Sequence, residues 1–116
     1  MENTIKEKSF RFAVRVVKLC NFLRDAKNEY VITKQLLRCG TSIGANTAES
    51  RFAQSRPDFV SKLSIALKEA AETDYWLRLL YETGYLTQAQ FTSLMHDCEE
   101  LQKILASIVK TSKTNS

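Results

Sequence analysis

The chain has 116 residues, 17 Lys and Arg against 13 Asp and Glu, and only three Gly and one Pro. That length suits one domain with one modest core, and few helix breakers among abundant Ala, Leu, Lys, Glu, Arg and Gln favour helix over sheet. No stretch approaches the roughly 18 uninterrupted apolar residues of a membrane span. The opening MENTIKEKSF lacks the apolar run of a secretory signal, so a cytoplasmic protein is expected.

Four amphipathic patterns follow one another within a single domain, 1–116. The first helix is expected over about 9–26. Phe12, Val16, Leu19 and Leu23 recur at four-three-four spacing and mark its core face. Lys8, Arg11, Arg15 and Lys18 form a cationic stripe assigned to the opposite side. The second helix, about 33–52, takes Thr33 as its N-cap. Leu36, Gly40, Ile43 and Thr47 mark its inner face, where Gly40 and Gly44 suit a close helix–helix approach. Gln35, Arg38, Ser42, Asn46 and Glu49 make its polar stripe.

The third helix, about 57–83, begins at Pro57, whose fixed φ suits a first turn, and stops at Gly84. Phe59, Leu63, Ala66, Ala70, Thr73, Leu77 and Leu80 keep the four-three spacing of a bundle seam. Beside that seam lie Ile65, Glu69, Glu72, Trp76 and Leu79. Apolar bulk among charges reads equally as a wide core margin or as a subunit interface. The fourth helix, about 87–110, opens with a Thr87–Gln90 capping box and a Leu86–Phe91 staple. The tail, 111–116, is polar, aperiodic and expected to fray. Four such helices with short connections imply an up-down-up-down antiparallel bundle.

Charge is uneven along the chain. Residues 1–56 hold eleven Lys and Arg against five Asp and Glu; residues 57–116 hold six against eight. A basic first half invites a polyanion, most simply nucleic acid. Candidate contacts are Lys8, Arg11, Arg15 and Lys18, then Arg38, Arg51 and Arg56.

Signatures of catalysis are lacking. Cys20, Cys39 and Cys98 are widely spaced within apolar patterns and read as small buried hydrophobes. Glu69 and Glu72 give Glu-x-x-Glu, but the sole histidine, His96, sits on another helix and does not supply the paired Glu-x-x-His of a di-metal bundle. His96 and Glu100, one turn apart, are a nonspecific pair. There is no Gly-rich phosphate loop and no C-x-x-C. A non-enzyme without metal or cofactor is expected.

The stretch Gln35–Glu49 carries a family resemblance. Gln35, Arg38, Ser42, Ile43, Asn46 and Glu49 fit the Q-x-x-R-x-x-x-S-I-x-x-N-x-x-E pattern of proteins encoded by intervening sequences in bacterial 23S ribosomal RNA genes. Asp58-Phe59, Ile65-Ala66-Leu67, Glu72 and Gly84-Tyr85-Leu86 fit as well, whereas Lys68-Glu69 stands where many members have Gly-Ser, and Ser50 where they have Gly. The resemblance implies a left-handed four-helix bundle, assembly into a ring, most simply a pentamer, and kinship with the accessory protein of diversity-generating retroelements, which works with nucleic acid. The expected function is therefore a homo-oligomeric bundle binding structured RNA through a basic surface, with Ile65, Glu69, Glu72, Trp76 and Leu79 at the subunit contacts. The alternative is a protein-interaction scaffold with no nucleic-acid role.

Overall fold

The computed structural model describes residues 2–114, with side chains for residues 4–114. It contains α1 (Glu2–Lys27), α2 (Val31–Ser50), α3 (Arg56–Glu82) and α4 (Gln88–Thr114), and no strand occurs among the described residues. Helices of 26 or 27 residues are rods of about 40 Å at about 1.5 Å rise per residue. The molecule measures 46 × 21 × 20 Å, so the rods lie along its length and stack two by two in cross-section. α2 packs against α1 and α3, α4 packs against α3 and more thinly against α1, and the backbones of the diagonal pairs do not approach closely. The fold is all-α, and the packing is that of a four-helix bundle.

The expected core positions are where the chain buries its apolar side chains. Phe12, Val16 and Leu23 meet Leu36 and Ile43, while Leu63, Ala70, Leu77 and Leu80 meet Leu101 and Leu105, all essentially inaccessible. Gly40 and Gly44 both face α1. A Cβ on Gly40 would lie 2.8 Å from a Val16 methyl, and one on Gly44 would lie 3.2 Å from the Ser9 carbonyl oxygen.

Helix boundaries depart from the sequence expectations at three places. α1 begins near Glu2 rather than at 9, because Ile5 and Ser9 continue the buried row and Ile5 is only 2% exposed. α2 begins at Val31 rather than after a Thr33 cap, because a different group takes its free N–H donors. The buried Glu29 carboxylate accepts from the N–H groups of Val31 (3.2 Å), Ile32 (3.1 Å) and Thr33 (2.7 Å), and from the Thr33 hydroxyl (2.8 Å). Burial opposes the charge on Glu29, but these donors outweigh it and hold its carboxyl below the usual range. α4 runs on to Thr114 because Val109 and Ser112 remain buried. The expected fraying of 111–114 is thus corrected, and residues 115–116 lie outside the described part.

Two other ends match their signals. Ser55 caps α3 by accepting from the Asp58 N–H at 3.1 Å. Gly84, at φ +86°, closes it: its N–H reaches the Tyr81 carbonyl at 3.1 Å, and the Tyr85 N–H reaches that of Leu80 at 2.9 Å. Thr87 and Gln90 form the reciprocal capping box, at 2.8 and 3.1 Å.

Candidate nucleic-acid interface

Of the seven candidate cations, Lys8, Arg15 and Arg38 are paired with acids of a neighbouring helix, and among the described residues Arg11, Lys18, Arg51 and Arg56 are not. Lys8 and Arg15 lie on the flank of α1 that faces α4. Lys8 Nζ is 3.0 Å from the Glu100 carboxylate. Arg15 donates to the Asp97 carboxylate (2.6 Å), the Ser93 carbonyl (3.3 Å) and the Ser93 hydroxyl (2.9 Å). The side of α1 opposite the core is instead apolar, with Phe10 69% exposed and Val14 and Val17 about two-fifths exposed. Lys8 and Arg15 are therefore on a flank, displaced from the expected outer face, where α4 supplies acids to them. Arg11 has only a loose pair with Glu7 at 3.6 Å, and Lys18 is exposed without an ion-pair partner among the described residues.

Arg38 is likewise engaged. Its guanidinium spans α2 to α3, 3.2 Å from Glu69 and 2.7 Å from Glu72. Trp76 Nε1 donates to the same Glu72 carboxylate at 3.0 Å. The Trp76 and Arg38 hydrogen bonds hold Glu72 below the usual carboxylate range. This brings one motif residue onto the same face as Glu69, Glu72 and Trp76, which sequence reasoning had kept apart. Ser42 and Asn46 serve the helix locally, and Glu49 reaches across to α3. The Ser42 hydroxyl donates to the Arg38 carbonyl (2.7 Å), the Asn46 amide donates to the Ser42 carbonyl (2.9 Å), and Glu49 pairs with Lys62 (3.1 Å). Ile65 is 40% exposed on this face, and Trp76 and Leu79 are half-buried.

Arg51 and Arg56, two of the cations not paired in this way, lie close together in the chain. They flank the α2–α3 connection and are exposed. Among the described residues neither joins an ion pair. Arg56 donates only to the Ser112 carbonyl, at 3.5 Å. Lys6, absent from the sequence-based candidates, lines a small cleft together with Arg51, Thr47, Ser50 and Phe59. The acids of that connection are already committed, Glu49 to Lys62 and Asp58 to the Gln54 N–H.

Burial pushes Cys20 and Cys39 up to about 11 and Cys98 to about 12, which keeps all three as neutral thiols. His96 is exposed beside Asp97, and no group of three metal-ligating side chains occurs among the described residues.

A family model described as 23S rRNA-intervening sequence protein matches residues 1–107. The chain belongs to that family. The chain is also similar to a solved structure, that of a protein of unknown function from the S23 ribosomal protein family of Bacteroides thetaiotaomicron. The two share 54% identity and a TM-score of 0.92, over 94% of this chain and 97% of the other. A comparison with functionally curated proteins returns no match. Among the described residues, no helix is long and apolar enough to cross a membrane.

Proposed function

We propose that this family member is a non-enzymatic, cytoplasmic, homo-oligomeric protein that binds structured RNA through a basic surface. The surface lies at the end of the molecule that carries Arg51, Arg56 and Lys6. The observation behind this is the division of cations: Lys8, Arg15 and Arg38 are held by carboxylates of neighbouring helices, whereas Arg51 and Arg56 are not. Unpaired guanidinium groups are free to displace counterions from phosphates, and such binding falls steeply with salt. The bundle is read as left-handed and up-down-up-down. Pairings such as Ser9 with Gly44 and Val16 with Gly40 fit antiparallel neighbours.

Assembly as a ring, most simply a pentamer, would repeat this basic end several times on one surface and multiply its affinity. Contacts would use Ile65, Trp76 and Leu79 beside the Arg38–Glu69–Glu72 cluster. Light scattering should give a mass several times that of one chain, and a monomer at micromolar concentration refutes the ring.

For RNA, the test is retained nucleic acid on purification and affinity measured across salt. Arg51→Glu with Arg56→Glu should abolish binding at about 0.1 M salt, where the Debye length is roughly 10 Å. Lys34→Glu with Lys68→Glu, exposed elsewhere, should not. Unchanged affinity in the first pair removes this surface from the account. The apolar outer side of α1, with Phe10, Val14 and Val17 exposed, favours a second reading as a protein-interaction scaffold. On that reading Phe10→Glu would abolish partner capture from lysate, and no nucleic acid would be retained.

A further inference from the structure

Phe52 is the most exposed large apolar side chain described, at 83%. The segment that carries it is not slack. The N–H groups of Arg51, Phe52 and Ala53 donate to the carbonyls of Ala48, Glu49 and Ser50, at 3.4, 3.0 and 3.2 Å. The Gln54 N–H donates to the Asp58 carboxylate at 3.1 Å, and the Asp58 N–H to the Ser55 hydroxyl at 3.1 Å. A backbone bonded at successive positions fixes the direction of the Phe52 Cα–Cβ bond, so the ring stands in water on a firm support rather than on a frayed tip.

Its surroundings are cationic. Arg51 precedes it, and Arg56 follows at the start of α3. Lys6 shares a cleft with Arg51, and the Arg56–Ser112 contact brings the last turn of α4, near the exposed Lys110, to the same end of the bundle. Exposed aromatic bulk alone would serve a protein partner equally well, and it is the surrounding cations that favour a phosphate-bearing ligand. An aromatic face projecting between phosphate-binding cations is the arrangement that receives a splayed-out base.

We propose that Phe52 is a stacking platform for an unpaired nucleotide, with Arg51, Arg56 and Lys6 holding the phosphates on either side. This rests on the nucleic-acid reading above and narrows it: the ligand class is single-stranded nucleic acid, as in the loops and bulges of a folded RNA. Fully paired RNA keeps its bases stacked inside the helix, so it engages the cations alone.

The test is fluorescence anisotropy with a labelled RNA single strand of about 12 nucleotides, within the span such sites cover, and with the blunt duplex it forms with its complement. Wild-type protein should bind both. Phe52→Ala should weaken single-strand binding roughly 5- to 150-fold, leave duplex binding within about twofold, and leave helix content unchanged; Phe52→Trp should retain single-strand affinity. No loss in Phe52→Ala, an equal loss on both RNAs, or wild-type binding to duplex alone overturns the stacking role and leaves the basic surface standing. Wild-type binding to neither RNA overturns both readings.

Discussion

Gly40→Ala sets two opposed effects against each other at one atom. The added methyl raises intrinsic helix propensity by about 0.8–1.0 kcal/mol. It would also sit 2.8 and 2.9 Å from the two Val16 methyls and 3.3 Å from Val16 Cβ, where carbon atoms prefer about 3.5–4.0 Å. Val16 cannot step aside. A valine in a helix is confined to essentially one χ1 rotamer, and a 120° turn would carry one methyl away while leaving a methyl in the other's place. Val16 is also fully buried, so the relief must come from α1 moving outward. Overpacking of this kind costs about 1–3 kcal/mol, which outweighs the propensity gain by about 1 kcal/mol at mid-range. For a chain of this size the expected change is a fall of roughly 3–8 °C in Tm, read by circular dichroism. Gly40→Ala combined with Val16→Ala should recover at least about 0.5 kcal/mol relative to the sum of the single changes. A higher Tm in Gly40→Ala, or strict additivity in the cycle, would refute the close contact. Gly44→Ala meets a single carbonyl oxygen at 3.2 Å, so its two effects should nearly cancel.

Three other outcomes are expected. Because the Glu29 carboxyl is held below its ordinary value of 4.5, its stabilisation is fully present above that value and lost as pH falls through and below it. Glu29→Gln should therefore be less stable at neutral pH and flatten the loss on acidification; denaturant midpoints at pH 7 and pH 3 that shift in parallel with wild type would contradict this. Thr87→Ala removes one half of the α4 capping box and should cost about 0.5–2 kcal/mol, visible as a lower denaturant midpoint without a change in slope. Cys20, Cys39 and Cys98 should resist a maleimide at pH 7 until denaturant is added, since burial keeps them protonated; rapid native labelling would show an open core.

Helix number, helix order and core were legible because Phe12, Leu63 and Leu101 each sit in a spacing that only a buried helical face explains. Gly84 and Thr87 were legible because their signals are local: a left-handed residue and a reciprocal cap need only the neighbouring few positions. Glu29 was missed because acidic capping is usually sought in Asp, and its three backbone donors emerge only once the turn is folded. The candidate site was less legible. Arg15 and Arg51 look alike in sequence, and what separates them is whether another helix brings an acid within reach. Asp97 lies 82 positions from Arg15, a distance no local pattern spans. Phe52 carried a signal that could have been read, an aromatic between Arg51 and Arg56 just beyond an expected helix end.

The thin contact between α1 and α4 bears on how the chain assembles. Every other packed helix pair consists of sequence neighbours joined by residues 28–30, 51–55 or 83–87, so each can form while little loop entropy is lost, and a topology rich in local contacts folds fast. The α1–α4 seam alone brings together residues 82 and 92 positions apart, through Arg15–Asp97 and Lys8–Glu100. It closes the longest loop in the bundle, so its contacts are expected to form late, after the rate-limiting step. Arg15→Ala should then speed unfolding and leave the folding rate unchanged, in stopped-flow chevrons. A folding limb slowed by the full loss of stability would mean that the ends meet first, and that the chain closes on itself before its middle is built.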